Sequence, residues 1–287
     1  MASATAAKLQ ATDLDELKAT DISLFIGSRV HLTKEELLSG RYAGALRELL
    51  ERRGVLVFPL IRFTDEEQIA FTKTFGAFAH ELRGEEVFRI TLDKGVNAAA
   101  EYLKGSLYWH IDGTMNPAPI FASILSSKVL SPSGGNTEFC NTYAAWENLE
   151  EDDKKRLEGL RVMHSAWNSL FYYEPEPSYA KLEEMMSLGK GETELPLVWK
   201  HRCGRKSLIL GCTAHHVIGM SARESTKLLV RLRDWATRPQ FTYSHKWRVG
   251  DTVMWDNTGT MHRATPYDPS CGRLLHRTIL QGDEPFT

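Results

Sequence analysis

A mainly β fold, a sandwich or jelly roll with flanking helices, is what this 287-residue sequence predicts. Two observations carry that expectation. From about residue 106 onward, short apolar runs alternate with Gly- and Pro-containing turns, the pattern of many short strands packed as sheets. Helical periodicity belongs mostly to the early part of the chain, and one strong helical pattern interrupts the later strands.

Residues 1–20 read as a lead-in, and 21–287 as a single domain, because no linker, repeat or long charge block divides them. Residues 42–53 carry Ala45, Leu46, Leu49 and Leu50 at helical spacing. Val55-Leu-Val-Phe58 is a short buried strand. Thr64 with Glu67 is a capping-box signal ahead of Ile69, Ala70 and Phe71. Strands are expected over 106–112, 120–130, 137–142, 195–201, 207–211, 241–247, 252–255 and 274–280. The late helix starts at Ser221, with Glu224 three residues on, and runs through Leu228, Leu229, Leu232 and Trp235. The stretch 143–191 holds a charge-rich run over 147–156 and the aromatics Trp167, Phe171, Tyr172 and Tyr173. It reads either as a lid or insertion around 165–195 or as a plain surface excursion.

Composition narrows the function. With 35 Lys and Arg against 37 Asp and Glu, the chain has no broad attraction for nucleic acid or an anionic membrane, which leaves a small-molecule substrate. The strongest apolar run, Val55 to Ile61, is too short to span a bilayer, and Met1 to Thr12 lacks a signal-peptide core. A cytoplasmic location is therefore expected, and a homo-oligomer is compatible with it. Cys140, Cys203, Cys212 and Cys271 lie far apart with no Cys-x-x-Cys pair and read as reduced thiols.

Trp109-His110-Ile111-Asp112-Gly113 places a histidine and a carboxylate two apart on an expected strand, on one face and about 6.6 Å apart. Chance alone gives about 10 × 13/287, or ~0.45, such pairs from ten His and thirteen Asp, so the pair by itself says little. The C-terminal run adds His262 after the strand 252–255. Two histidines and a carboxylate make the facial set that leaves open positions on Fe(II). Arg273 and Arg277 then share one face of the last strand, with His276 on the other. Guanidinium binds carboxylate bidentately, so an arginine beside such an iron site suits the distal carboxylate of 2-oxoglutarate. Thr137 in Gly134-Gly-Asn-Thr137 offers a hydroxyl at a strand start. Each of these three residues has a plainer alternative, as a salt-bridge partner or a routine turn residue. Lys200 to Lys206 reads as a solvated hairpin turn, and His215-His216 as unable to serve one metal together.

With these motifs in view, the sequence resembles the taurine dioxygenase and 2,4-dichlorophenoxyacetate dioxygenase (TauD/TfdA) family from about Asp21 to Phe286. Gly54-Val-Leu-Val-Phe58, Glu67-Gln68 to Phe75-Gly76, His110-Ile-Asp112, Gly134-Gly-Asn-Thr137, Trp255-Asp-Asn257 and Arg273 with Arg277 carry the resemblance, in the family's order. It implies a double-stranded β-helix of jelly-roll type. His110, Asp112 and His262 would hold Fe(II) as the catalytic centre, Thr137 and Arg273 would hold 2-oxoglutarate, and Arg277 would meet the substrate's acidic group. O₂ would be the second cosubstrate, with succinate and CO₂ as coproducts. Residues 134–140, 160–170 and 245–257 look more like the aryloxyalkanoate branch, which implies a hydrophobic or aromatic carboxylate substrate. A sulfonate or alkyl sulfate is the alternative within the family. A zinc hydrolase using the same three ligands and a non-catalytic jelly-roll binding module are the alternatives outside it. Two departures stand out. Ile111 occupies a position where Ser or Thr is familiar, and 78–108 matches no branch well, which leaves His80, Arg83 and Arg89 either as substrate contacts or as solvated side chains.

Overall fold

A computed structural model describes residues 17–80, 84–188 and 191–286; most of the lead-in, and Arg83, lie outside these. In chain order the described strands begin with β1 (Ala19–Asp21), β2 (Ser28–Val30), β3 (Val55–Phe58), β4 (Phe78–Ala79), β5 (Phe88–Ile90), β6 (Ala122–Val129) and β7 (Thr137–Asn141). They continue with β8 (Arg161–Ser165), β9 (Glu192–Pro196), β10 (Val198–Lys200), β11 (Lys206–Leu208), β12 (Ala214–Val217) and β13 (Thr242–His245), and end with β14 (Thr252–Asp256), β15 (Thr260–Ala264) and β16 (Leu274–Leu280).

The major sheet runs β1-β2-β3-β14-β6-β16-β4, with β5 also on β16; a minor sheet runs β13-β7-β15. Apart from the parallel β2–β3 pair, the strands of both are antiparallel. Period-2 alternation explains how they pack. Val55, Val57, Leu125, Val253, Trp255 and Leu275 of the major sheet meet Phe139 of the minor sheet in one inner cluster. Leu56, Phe58, Ile124, Met254 and Leu280 point the other way, into a second cluster with the helices Ala43–Arg53 and Asp65–Lys73. This is why Val55–Phe58 reads as uninterrupted apolar sequence: all four residues are buried. The helix Asp65–Lys73 has the expected capping box at Thr64 and Glu67. It is anchored on the sheet by buried Gln68, whose Nε2 donates to the Ile124 and His276 carbonyls at 3.1 and 3.0 Å.

Beside the sandwich, β12-β8-β9 form a small sheet and β10-β11 a hairpin across 200–206, as that turn predicts. The helix Ala222–Ala236 packs there, with Ser221 and Glu224 in the expected capping box. Two expectations need correction. The late chain holds more than one helix: Thr142–Glu147, Glu151–Leu157, Leu170–Tyr173 and Tyr179–Leu188 are helical too. The charge-rich run is one of them, with Glu151, Asp152 and Asp153 in its first turn and Lys154, Lys155 and Arg156 in its last, which complements the helix dipole. The expected strand 195–201 is two strands, β9 ending at Pro196, a residue with no amide to continue a ladder.

None of the four cysteines is in a disulfide. Burial pushes the Cys140 and Cys212 thiols up to about 12.

Gly134 closes the turn that starts β7. Its φ is +68°, and a Cβ there would lie 2.0 Å from the Pro266 carbonyl oxygen. Gly134→Ala combines a clash with a left-handed backbone. It should lower stability by at least about 1–3 kcal/mol, seen as a shifted urea midpoint at unchanged m.

Candidate active site

His262 sits in β15, opposite Phe139 of β7. His110 joins it through an isolated antiparallel bridge, with each backbone N–H donating to the other's carbonyl at 3.0 and 2.9 Å. Here the expected strand 106–112 is replaced. Tyr102–Leu107 is a 3₁₀ turn, and after His110 the chain turns at Gly113, φ +78°, where a Cβ would meet Ile120 N at 2.9 Å. Asp112 therefore does not stand along a strand from His110. Its Oδ1 lies 3.6 Å from His110 Nε2, and its Oδ2 lies 3.6 Å from His262 Nε2.

One ligand atom from each of the three residues falls within 4.8 Å of the others, and among the described residues this is the cluster that could hold a metal ion. The electrostatics fit a cation. His110 Nδ1 lies 2.8 Å from the Tyr108 carbonyl, which can only accept; the ring therefore donates there and turns an Nε2 lone pair toward Asp112. Burial, then neighbouring His110, holds the His262 imidazole well below its ordinary value, so it is neutral and able to ligate. Burial alone would raise the Asp112 carboxyl, but the Arg277 guanidinium outweighs it and holds the group far below the usual range.

Arg277 Nη1 donates to Asp112 Oδ2 at 3.0 Å, and its guanidinium lies 5.6 Å from the Phe88 ring. Arg273, expected on the same face, has other partners, and a register irregularity at Leu274 and Leu275 lies between the two arginines. Arg273 is 2% exposed, and its Nη2 donates to the Gly135 carbonyl at 2.9 Å. Its Nε is buried without a partner, and beside it opens a cavity of about 350 Å³ lined by residues 130–136, Lys246, Trp247 and Arg273. Thr137 is buried, and its hydroxyl accepts from Trp247 Nε1 at 3.0 Å. The two residues expected to share an anion are thus joined through one turn, 134–137, and one indole. An orphaned guanidinium N–H beside a cavity fits an anionic ligand.

Among the other candidates, His80 and Arg89 are exposed. His276 Nδ1 is 2.7 Å from Asp65 Oδ1, away from the arginines. His215 and His216 fall at an irregularity in β12 and make separate contacts, His215 with Trp167 and His216 with Ser225.

The family model described as "Taurine catabolism dioxygenase TauD, TfdA family" matches residues 14–279. The chain belongs to this family. Membership of the TauD/TfdA family makes it a dioxygenase with the jelly-roll fold. It is 34% identical over 282 residues to an alpha-ketoglutarate-dependent 2,4-dichlorophenoxyacetate dioxygenase of Burkholderia sp. (strain RASC), covering 90% of this chain and 92% of the relative. An (S)-phenoxypropionate/alpha-ketoglutarate-dioxygenase of Sphingobium herbicidovorans is 36% identical over 247 residues, covering 80% and 82%. The crystal structure of AAD-2 in complex with Mn(II) and N-oxalylglycine superposes with a TM-score of 0.81 at 32% identity, over 94% of this chain and 99% of that one. The zinc-hydrolase and binding-module alternatives find no support in these relatives.

Sequence reasoning missed Ser123, Tyr108 and the role of Asn257, all of which touch the triad or its neighbours. A buried serine inside the apolar run Phe121-Ala-Ser-Ile-Leu125 was the available signal.

Asp256 lies between Trp255 and Asn257, yet its partners are elsewhere. Oδ1 accepts from Thr258 N and Oγ1 at 2.7 and 2.6 Å, and Oδ2 is buried without a partner. Burial raises its carboxyl to about 7 against the pull of the Thr258 hydrogen bonds. An acid raised on folding favours the folded state while it is protonated. That contribution is full below the unfolded value near ~3.9 and is lost as pH rises toward 7, at up to roughly 1.4 kcal/mol per pH unit. Urea denaturation at pH 5 and pH 8 should show the natural protein losing more stability over this interval than Asp256→Asn.

Proposed function

We propose that His110, Asp112 and His262 hold Fe(II), that Thr137 and Arg273 hold 2-oxoglutarate, and that Arg277 meets the acid group of the substrate. The protein is an Fe(II)- and 2-oxoglutarate-dependent dioxygenase that hydroxylates a small organic acid, with O₂ as cosubstrate and succinate and CO₂ as coproducts. The observation that carries the residue assignment is the two-histidine, one-carboxylate cluster within 4.8 Å, with buried Arg273 beside a cavity. When bound, the iron supplies the oxidising power that couples decarboxylation of 2-oxoglutarate to insertion of oxygen into a C–H bond.

The residues of the chain do the rest. Arg273 and Thr137 orient the cosubstrate, and burial around them excludes water. Arg277 lies between Asp112 and Phe88, so a substrate whose carboxylate meets the guanidinium would have its body against an aromatic ring. That arrangement, with the named relatives, supports an aryloxyalkanoate or similar hydrophobic carboxylate. A guanidinium has five N–H donors, so the ion pair with Asp112 is compatible with a second anionic partner.

Residues 21–287 act as one dioxygenase unit with a lid around 165–195, a reading supported by Tyr172, whose ring lies 5.2 Å from that of Tyr108, two residues before His110. Succinate release with Fe(II), measured over aryloxyalkanoates, sulfonates, alkyl sulfates and hydrophobic acids, tests the substrate. Turnover on carboxylates is expected. Activity restricted to sulfonates or sulfates would overturn the assignment.

A further inference from the structure

The Trp255-Asp-Asn257 motif has no part in the reaction as described so far, yet its first and third residues lead directly to the carboxylate of Asp112. Trp255 Nε1 lies 2.8 Å from Asn257 Oδ1, Asn257 Nδ2 lies 2.9 Å from Ser123 Oγ, and Ser123 Oγ lies 3.3 Å from Asp112 Oδ2. Trp255 is 2% exposed, and Asn257 and Ser123 are fully buried, so water does not compete for these bonds.

The strand pairing creates the chain. Ser123 in β6 has Trp255 of β14 as its cross-strand partner on one side and Ile279 of β16 on the other. Asn257, just past the end of β14, is tied by its backbone N–H to the Phe121 carbonyl at 2.9 Å. The amide is thereby brought over Ser123.

The direction of every bond follows from the first. An indole N–H can only donate, so the oxygen of the Asn257 amide must face Trp255 and its NH₂ must face Ser123. The serine oxygen then accepts from the amide, and its single proton is left for Asp112, whose Oδ2 lies 3.3 Å away. From the other side Arg277 donates to the same oxygen, Oδ2, at 3.0 Å. Both donors are on Oδ2, while Oδ1 faces His110 Nε2 at 3.6 Å.

We propose that Ser123 and Asn257 are positioning residues for the metal: the relay Trp255–Asn257–Ser123 sets the rotation of the Asp112 carboxylate and so the affinity of the site for a divalent cation. The proposal rests on the assignment of His110, Asp112 and His262 as ligands. Groups that hydrogen-bond a ligand from behind change metal affinity by about 10–100-fold when removed. The last bond, at 3.3 Å, is longer than an ideal O–H···O contact.

The test titrates Mn(II) into metal-depleted protein by calorimetry and records the visible spectrum of the Co(II) form, so no turnover is needed. Ser123→Ala is expected to weaken Mn(II) binding at least about 10-fold and to alter the Co(II) ligand-field bands. Asn257→Asp is the sharper variant. It keeps the volume and still accepts from Trp255, but it offers Ser123 a second carboxylate, which draws the hydroxyl proton away from Asp112. It should weaken Mn(II) binding similarly, and in the Ser123→Ala background it should add nothing, because its effect passes through that hydroxyl.

A merely structural role gives a different result: a lower unfolding temperature for the metal-free variant with Mn(II) affinity unchanged. Unchanged affinity and spectrum in Ser123→Ala, or losses for Ser123→Ala and Asn257→Asp that simply add, would overturn the relay. Should Asn257→Asp fail to fold, Ser123→Ala decides alone. Asp112→Ala separates this proposal from the ligand assignment. If that variant binds Mn(II) as well as the natural protein, the ligand assignment falls and the relay with it; if it does not bind while Ser123→Ala binds normally, only the relay falls.

Discussion

Asp112→Ala is expected to abolish substrate-dependent succinate release and also to destabilise the metal-free protein. The first effect follows from the donor set. Groups behind a ligand are worth about 10–100-fold in affinity or activity, so loss of a ligand itself should exceed ~100-fold. The second follows from Arg277. Its side chain is 15% exposed and pairs with Asp112, itself 12% exposed, at 3.0 Å. Removing one member of a largely buried ion pair takes away its charge-assisted hydrogen bond, at a cost of about 1.5–3 kcal/mol. The pH dependence has a definite sign. The Asp112 carboxyl is depressed on folding, first by Arg277 once the opposing effect of burial is overcome. Its contribution is therefore present above the unfolded value near ~3.9 and is lost as pH falls through the folded value. Urea denaturation of the two metal-free proteins should show a wide gap at pH 7 that narrows below about pH 4. Equal stabilities at pH 7 would mean that Arg277 does not depend on Asp112.

The parts of this site that can be seen in the sequence are those whose signals are local. Capping boxes at Thr64 and Ser221 need only three residues, and the inner strands show their apolar faces directly. The triad residues are identifiable as a set because their types suit one metal, although the strand expected to carry two of them is not there. His110 keeps a single isolated bridge, Asp112 begins the turn that follows, and the two side chains still converge to 3.6 Å. What could not be seen depends on long-range pairing. Arg277 reaches Asp112 across 165 residues, and Ser123 reaches Asn257 across 134, so no local pattern announces either contact. The helices of 142–188 failed for another reason. The apolar residues of the first two, among them Ala144, Ala145, Trp146 and Leu157, join a core cluster that only the tertiary fold assembles, and Pro175 and Pro177 give the later stretch the look of a loop. Arg273 and Arg277 show what periodicity leaves out: strand alternation puts them on one face, and the tertiary fold gives them different partners, the Gly135 carbonyl for one and Asp112 for the other.

Arg273 accordingly supports a prediction that separates cosubstrate binding from chemistry. Its guanidinium is almost wholly buried, lies 4.6 Å from the Tyr267 ring and has one N–H without a partner. Burial pulls it below its ordinary value and Tyr267 acts against that. A hydrogen bond to a charged group contributes about 1.5–3 kcal/mol, which is roughly 10–150-fold in affinity. Arg273→Lys keeps a point charge but loses the planar fork. It should raise the KM for 2-oxoglutarate about 10-fold or more with a smaller change in kcat, the mark of an interaction equally strong before and during the reaction. Gly135→Ala approaches the same side chain from behind. Its Cβ would lie 2.8 Å from Arg273 Nε and 3.0 Å from Cδ, at a φ of +73°, so the guanidinium must move although no charge is lost. Both variants should raise KM for 2-oxoglutarate while leaving Mn(II) affinity and the KM for the organic acid near their natural values, since Arg273 is held by Gly135 and Tyr267 and not by Asp112. If Arg273→Lys instead weakened only the organic acid, the two arginines would have to exchange roles, with Arg277 at Asp112 holding the cosubstrate.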